Sequence, residues 1–451
     1  MFSQRSLATG VSALTVLVGC LLVTRSALAQ TYLPAIPGSL DDTQRIEQAL
    51  DACNAPEKAC TVRLGPGVFH VGLIVVEDFH GSFVGSGIGK TVVKAKPGIE
   101  AHFDLLQPHS KTNRMPNLLS FLSGNFSIAD MSIRVEGFRP LLAYQFLPGF
   151  PDTYFMNTIL AITQRPGGAA PHVSIERVEI AGADGDAASF FGFNGLPAGL
   201  GVNTNGVLFF GGFFFNPILT GGSLVVRDSV MKRGVNGFFT LRTADSSVRF
   251  VNNHVTESIG GVGAYLASRS MIAFRENTIE SWQHGVSFLQ TPFFDFEGWG
   301  PPEASRFVAS GNTIRTSQIM DVPSAGIVAT DEYTTIPGEV PRLDGTVSDN
   351  RVISTGGNWT SERYGIWLNK TVGTKVMNNQ LLGSGDVALA VDESQACRLL
   401  FNSMLRFEAS RAQIMLSART RDCLVLGVHP SVTIVNEGEN NVIKASEGRQ
   451  R

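Results

Sequence analysis

The residues best suited to chemistry in this chain are His284, Arg242, Asp331 and Lys370, with Glu332 and Arg363 nearby in the same pattern of repeats. A histidine base among cationic side chains can take a proton from a carbon beside a carboxylate and hold the enolate-like charge that develops. Two carboxylates, Asp331 with Asp295 or Glu297, can instead flank a glycosidic bond and split it. The residues leave both chemistries open. Phe239, Tyr265 and Trp367 fall into one outward row, with Trp299 in a loop beside it, so aromatic faces could stack on rings of a ligand. Each residue also has a plainer reading. A charged side chain can be solvated surface, His284 can bond main chain at a turn, and loops can cover the aromatic row.

A repeat must position these residues. An acidic or amide residue followed two positions later by an aliphatic one recurs at Asp228/Val230, Asn253/Val255, Asn277/Ile279, Asn312/Ile314, Asn350/Val352, Asn379/Leu381 and Asn402/Met404. The spacings are 25, 24, 35, 38, 29 and 23 residues, a unit of roughly two dozen with loop insertions in some copies. Before each Asn lies a short apolar run such as Phe250-Val251. After it, often behind a glycine, comes an alternating run such as Gly365-Ile366-Trp367-Leu368. No ten-residue helical pattern intervenes. Short strands stacking on their equivalents one turn later predict an all-β parallel solenoid, whose units bury an apolar face only against one another. The Asn residues read as scaffold, since amides tolerate left-handed bends and bond each other in stacked ladders. In the strand after the Asn, the expected inward row is Phe238, Ala264, Val286, Ile327, Ile366, Val387 and Ile414. The expected outward row is Phe239, Tyr265, Ser287, Val328, Trp367, Ala388 and Met415.

This pattern resembles the right-handed parallel β-helix of the pectin-lyase-like superfamily. The segment Asp41-Asp42-Thr43, a short amphipathic stretch to about Cys53, Thr61–Leu64, a Gly65-Pro66-Gly67 turn and Val68–Val71 resembles the start of many secreted β-helix enzymes, where a helix caps the first rung. The resemblance implies action on an extracellular or cell-envelope polysaccharide, as lyase, epimerase or hydrolase. The superfamily's catalytic arginine, calcium-binding Asp clusters and paired-Asp motifs are not recognisable as local strings. No functional residue is carried over, and a non-catalytic carbohydrate-binding or structural protein stands as the alternative.

Residues 1–29 read as a secretory signal, with Arg5, an apolar run from Val11 to Val23 and Ala27-Leu28-Ala29 before Gln30. A lipoprotein anchor at Cys20 is the competing reading. Either places the protein in the periplasm or outside the cell, where Cys53 with Cys60 and Cys397 with Cys423 read as disulfides. Free buried thiols are the alternative, and neither pair has zinc-site spacing. The second pair is 26 residues apart, close to one coil, which would put its members on adjacent rungs. A net charge of -3 argues against nucleic acid as a partner. No other stretch is long and apolar enough for a membrane-spanning helix, no metal or cofactor is indicated, and oligomeric state is left open. Gly85–Thr91 lacks the phosphate-loop spacing and reads as a turn between rungs. The expected layout is a cap segment over 30–60, the β-helix over 61–436 and a polar tail over 437–451. Two long excursions interrupt it, Phe138–Pro166 and the Phe-rich Gly182–Gly222. Extended loops after and between these strands suggest a walled cleft on one face.

Overall fold

In the computed structural model, short runs of alternating apolar residues stack into one continuous parallel ladder from Ala29 to Ala445. The structure describes residues 29–97, 99, 108–115, 117–135, 157–182, 204–210, 219–291, 301–318, 323–334, 341–356 and 360–445. Among the described residues all the pairings between strands are parallel, and strands bond their equivalents in neighbouring coils. One coil shows the plan. Ser247–Val251 forms the first face; after a bend, His254–Ser268 runs through a second face and on into a third. The fold is the one expected, a parallel β-helix with a single α-helix, Thr43–Asp51, among the described residues.

The amide column is the spine. Asn253, Asn277, Asn312, Asn350, Asn379 and Asn402 line up one per coil, each at most 4% exposed. The Oδ1 of Asn312 accepts the Asn277 main-chain N–H at 3.0 Å and the Asn277 amide at 3.0 Å. Its own Nδ2 donates to Phe274 O at 3.0 Å and to Asn350 Oδ1 at 2.9 Å. Two donors and two lone pairs are thereby all used. Two expectations need correcting here. The column begins at Ser229, whose N–H bonds Asn253 Oδ1 at 3.1 Å with a separation of 24, so Asp228 is one place out of register. The left-handed backbone belongs to the residue before each member of the column, including Asp228, Asn252, Glu276, Asp349 and Asn378, because that residue makes the turn while the one behind it makes the bonds.

A second column, Gly237, Gly261, Gly285, Gly326 and Gly365, lies where the second face turns into the third. A Cβ on Gly326 would lie 2.2 Å from Val352 Cγ1 and 2.8 Å from Gly365 O, so the side chain is excluded by close approach and not by dihedral angle. Between the columns the core is apolar, with Phe250 and Phe274 stacked at 5.1 Å and Phe274 and Phe307 each in ring contact with Phe288.

At the start, the helix buries Ile46, Ala49 and Leu50. Buried Asp42 precedes it, accepting from His70 N–H at 3.1 Å and Arg45 at 2.9 Å, and Glu47 accepts the Val75 N–H at 3.2 Å. The acidic pair therefore precedes the first helical turn and does not lie within it. Cys53–Cys60 ties the helix end to Cys60–Leu64, and Cys397–Cys423 joins adjacent rungs as the one-coil spacing predicts. The ladder also reaches past the expected boundaries. Ala29–Leu33 pairs with Cys60–Leu64 ahead of the helix, and Val442–Ala445 adds a rung within the expected polar tail. Both expected excursions contain rung strands. Asn157–Thr163 pairs with Thr204–Phe210, which pairs in turn with Phe238–Leu241. Phe209 and Phe210 thus extend the third face, in a segment whose unbroken apolar run hides its alternation. Residues 138–156, 183–203 and 211–218 of the excursions, and the signal segment as far as residue 28, lie outside the described residues.

Candidate functional site on the third face

The third face carries its functional side chains in rows set by the ladder. Its outward row is Phe239, Gly263, Ser287, Val328, Trp367, Ala390 and Met415. Tyr265 and Ala388 are therefore not in it. Tyr265 lies two residues further along, beside Leu241 and Leu289. In the inward row, Val262 and Leu389 replace Ala264 and Val387. A slip of two residues keeps every side chain on its face, so alternation alone cannot detect it.

The expected aromatic row is accordingly not a continuous platform. Phe239 is 1% exposed and Tyr265 8%, and they meet edge-on at 4.4 Å with burial raising the Tyr265 phenol pKa. Trp299 lies outside the described residues, as do Asp295 and Glu297. Trp367 is half-buried.

The structure does not gather His284, Arg242, Asp331 and Lys370 into one constellation. His284 stands at the start of the third face, aligned with Gly260 and Ala325. Its Nδ1 accepts the Ala325 N–H at 3.2 Å, and burial lowers its pKa to about 4. That bond keeps the ring neutral with its proton on Nε2, so His284 is a donor at its open nitrogen and not a base there. Arg242, Asp331 and Lys370 all lie at the far end, at one bend position. Gln290, aligned with Asp331, is six residues beyond His284 on the same strand, roughly 20 Å away. Arg242 is fully buried and, like Lys370, in left-handed backbone. Asp331, also fully buried, closes its own loop: one carboxylate oxygen accepts from Thr334 at 2.8 Å and from the Arg342 N–H at 2.9 Å.

A different set comes together around Trp367. The indole stacks on Tyr364 at 5.1 Å and 19°. Beneath this pair lies a small apolar cluster on the outside of the sheet, formed by Ala325, Val328, Val387 and Ala390, with Leu289 and Met415 against it. Each ring bonds a carboxylate through its polar atom. Trp367 Nε1 donates to Asp392 Oδ2 at 2.7 Å, and the Tyr364 hydroxyl donates to Glu362. Glu362 is also paired with Arg411. Beside the indole, Thr330, Asn369 and Asp392 form an aligned polar row, with Asn369 Nδ2 bonding Thr330 Oγ1 at 3.0 Å.

Burial raises the Asp392 pKa, as do the charges of Glu362 and Glu393, against hydrogen bonds from Trp367 and Ser417 that lower it. Burial also raises the Tyr364 phenol pKa, helped by Glu362. Sequence reasoning missed Glu362, Tyr364 and Asp392. A usable signal existed, because Asp392 follows Trp367 by 25 residues, about one coil, and a polar residue one coil from an outward aromatic should lie next to it.

No metal-binding group of histidine, cysteine and acidic residues is present among the described residues. No helix of the described chain is long and apolar enough to cross a membrane. No family model matches the chain, and no curated protein matches it. Solved structures similar to it include the A-module of the mannuronan C-5 epimerase AlgE6 of Azotobacter vinelandii, at 13% identity over 90% of this chain and 96% of that one, TM-score 0.47. The Dettilon tailspike protein matches at 13% identity over 92% of this chain and 68% of that one, TM-score 0.44. The DFA-IIIase of Arthrobacter chlorophenolicus A6, without its lid, matches at 12% over 94% of this chain and 100% of that one, TM-score 0.44.

Proposed function

We propose that this protein acts on a polysaccharide lying along the third face, with Trp367 as the stacking surface and Asp392 and Glu362 as the working carboxylates. The observation that carries the reading is the half-buried indole, stacked on Tyr364 and hydrogen-bonded to a carboxyl of raised proton affinity. Coils repeat at about 4.8 Å, which suits a chain ligand that meets several rows at once. Asp392 on the Trp367 side and Glu362 on the Tyr364 side would be the two carboxylates that flank a glycosidic bond lying over the platform. This is a hydrolytic assignment. It departs from the lyase or epimerase reading because His284 spends its lone pair on Ala325.

One observation favours the non-catalytic alternative: both carboxylates already have protein partners, Asp392 in the indole and Glu362 in Tyr364 and Arg411. A panel of neutral and uronate-containing polysaccharides separates the readings. New reducing ends that vanish in Asp392→Asn support hydrolysis, whereas unsaturated products absorbing in the ultraviolet, or epimerised sugars seen by NMR, would overturn it. Binding that Trp367→Ala abolishes, without turnover by the intact protein, would establish the binding module. The signal segment and the two disulfides fit a periplasmic or secreted location.

A further inference from the structure

We infer that the Trp367 platform selects neutral sugar units and discriminates against uronates, an inference that rests on the glycan reading of this face. The polar groups around the indole are Thr330, Asn369 and Asp392 on one side and the phenol-bound Glu362 on the other. These are hydroxyl, amide and carboxylate groups, which accept hydrogen bonds from sugar hydroxyls. The neighbouring guanidinium groups are already engaged by acids. Arg411 pairs with Glu362, Arg419 lies 2.9 Å from Glu393, and Arg363 lies 3.9 Å from Asp386. Asp386 is bound further by the Arg363 N–H at 2.8 Å and by Ser410 at 2.7 Å. Lys370 stands at the bend beyond Asn369, its main-chain N–H bonded to Asp392 O at 2.9 Å.

A uronate placed on the indole would bring its carboxylate against Asp392 and Glu362, with no guanidinium among these free to form the two-pronged pair that carboxylates favour. Like charges brought together in a partly desolvated site oppose binding strongly. A neutral hexose or pentose meets no such opposition and can donate its hydroxyls to the same oxygens. The apolar cluster of Ala325, Val328, Val387 and Ala390 beneath the rings offers no group that could offset that charge. The discrimination therefore comes from the charge of the platform and not from its shape.

The test is isothermal titration of the full chain at pH 7 and low salt with glucan and xylan hexasaccharides, against galacturonate and mannuronate oligomers of equal length. Neutral oligomers should bind about tenfold tighter or more. Trp367→Ala should weaken that binding roughly tenfold, and Trp367→Phe, which keeps a ring in the same packing, should retain more of it. Asp392→Asn should narrow the gap by removing one repelling charge. Uronates that bind equally or better through Trp367 would overturn the inference and leave the glycan reading standing. A gap untouched by Asp392→Asn would place the discrimination elsewhere and overturn it too. Failure of every oligomer to bind would overturn both.

Discussion

The Asn column inside the coils and the row around Trp367 outside them are built on the same repeat, yet they obey opposite rules. From Asn253 to Asn402 every copy in the column is an amide, bonded to the identical group one coil away and to main-chain groups beside it. In the outward row the copies are Phe239, Gly263, Ser287, Val328, Trp367, Ala390 and Met415, chemically unrelated neighbours at the same spacing. Interior positions are tied to the period because a buried donor or acceptor must find its partner one coil away. Outward positions are released from it, so chemistry can gather at one coil. The candidate site lies where the repeat stops repeating.

The comparison can be broken most forcefully from the inside. Asn312→Leu should destabilise the protein by about 3 kcal/mol or more, because it strands the Asn277 N–H, the Asn277 amide and the Phe274 carbonyl in the core. Urea denaturation should show this, and a loss below about 1 kcal/mol would mean the column is dispensable. Gly326→Val comes next. Its Cβ meets Val352 Cγ1 at 2.2 Å, and overpacking of this kind typically costs about 1–3 kcal/mol. The same measurement checks it, with unchanged stability as the adverse result.

The outer row should respond differently. Trp367→Ala should change stability far less than Asn312→Leu while weakening glycan binding roughly tenfold, about 1.4 kcal/mol. Equal losses of stability for the two variants would erase the contrast. Asp392 provides the finest distinction. Its pKa is raised in the folded state, so the stability it contributes is full below the ordinary carboxylate range and declines as pH rises through the folded value. Asp392→Asn should remove this decline, and thermal melts from pH 3 to 7 should show the variant gaining on the parent as pH increases. Parallel profiles would show that Asp392 does not titrate as its burial requires.

Much of this architecture was legible beforehand, for identifiable reasons. The period of roughly two dozen residues, the amide column from Asn253 to Asn402 and the one-coil disulfide Cys397–Cys423 are each marked by a residue type that recurs because a buried group demands it. Asp228 was misleading because it occupies the left-handed turn position where the next coil has Asn252, one residue before the amide column. The rung strands Asn157–Thr163 and Thr204–Phe210 escaped notice because insertions separate them from their neighbours and their apolar runs do not alternate cleanly.

The candidate site was far less legible. Tyr265 and Trp367 both point outward from the same face, but they belong to different rows, and two is the period of the side chains themselves. His284 offered an unassigned imidazole, and only the Ala325 N–H arriving from the next coil decided which nitrogen carries the proton. By itself, then, the sequence determined the β-helix, its coil length, its inner columns and its cross-links, because burial writes those requirements into every copy. Tertiary structure alone decided which outward side chains became neighbours, since a loop of any length can shift a coil by two residues without disturbing the alternation that marks it as a strand.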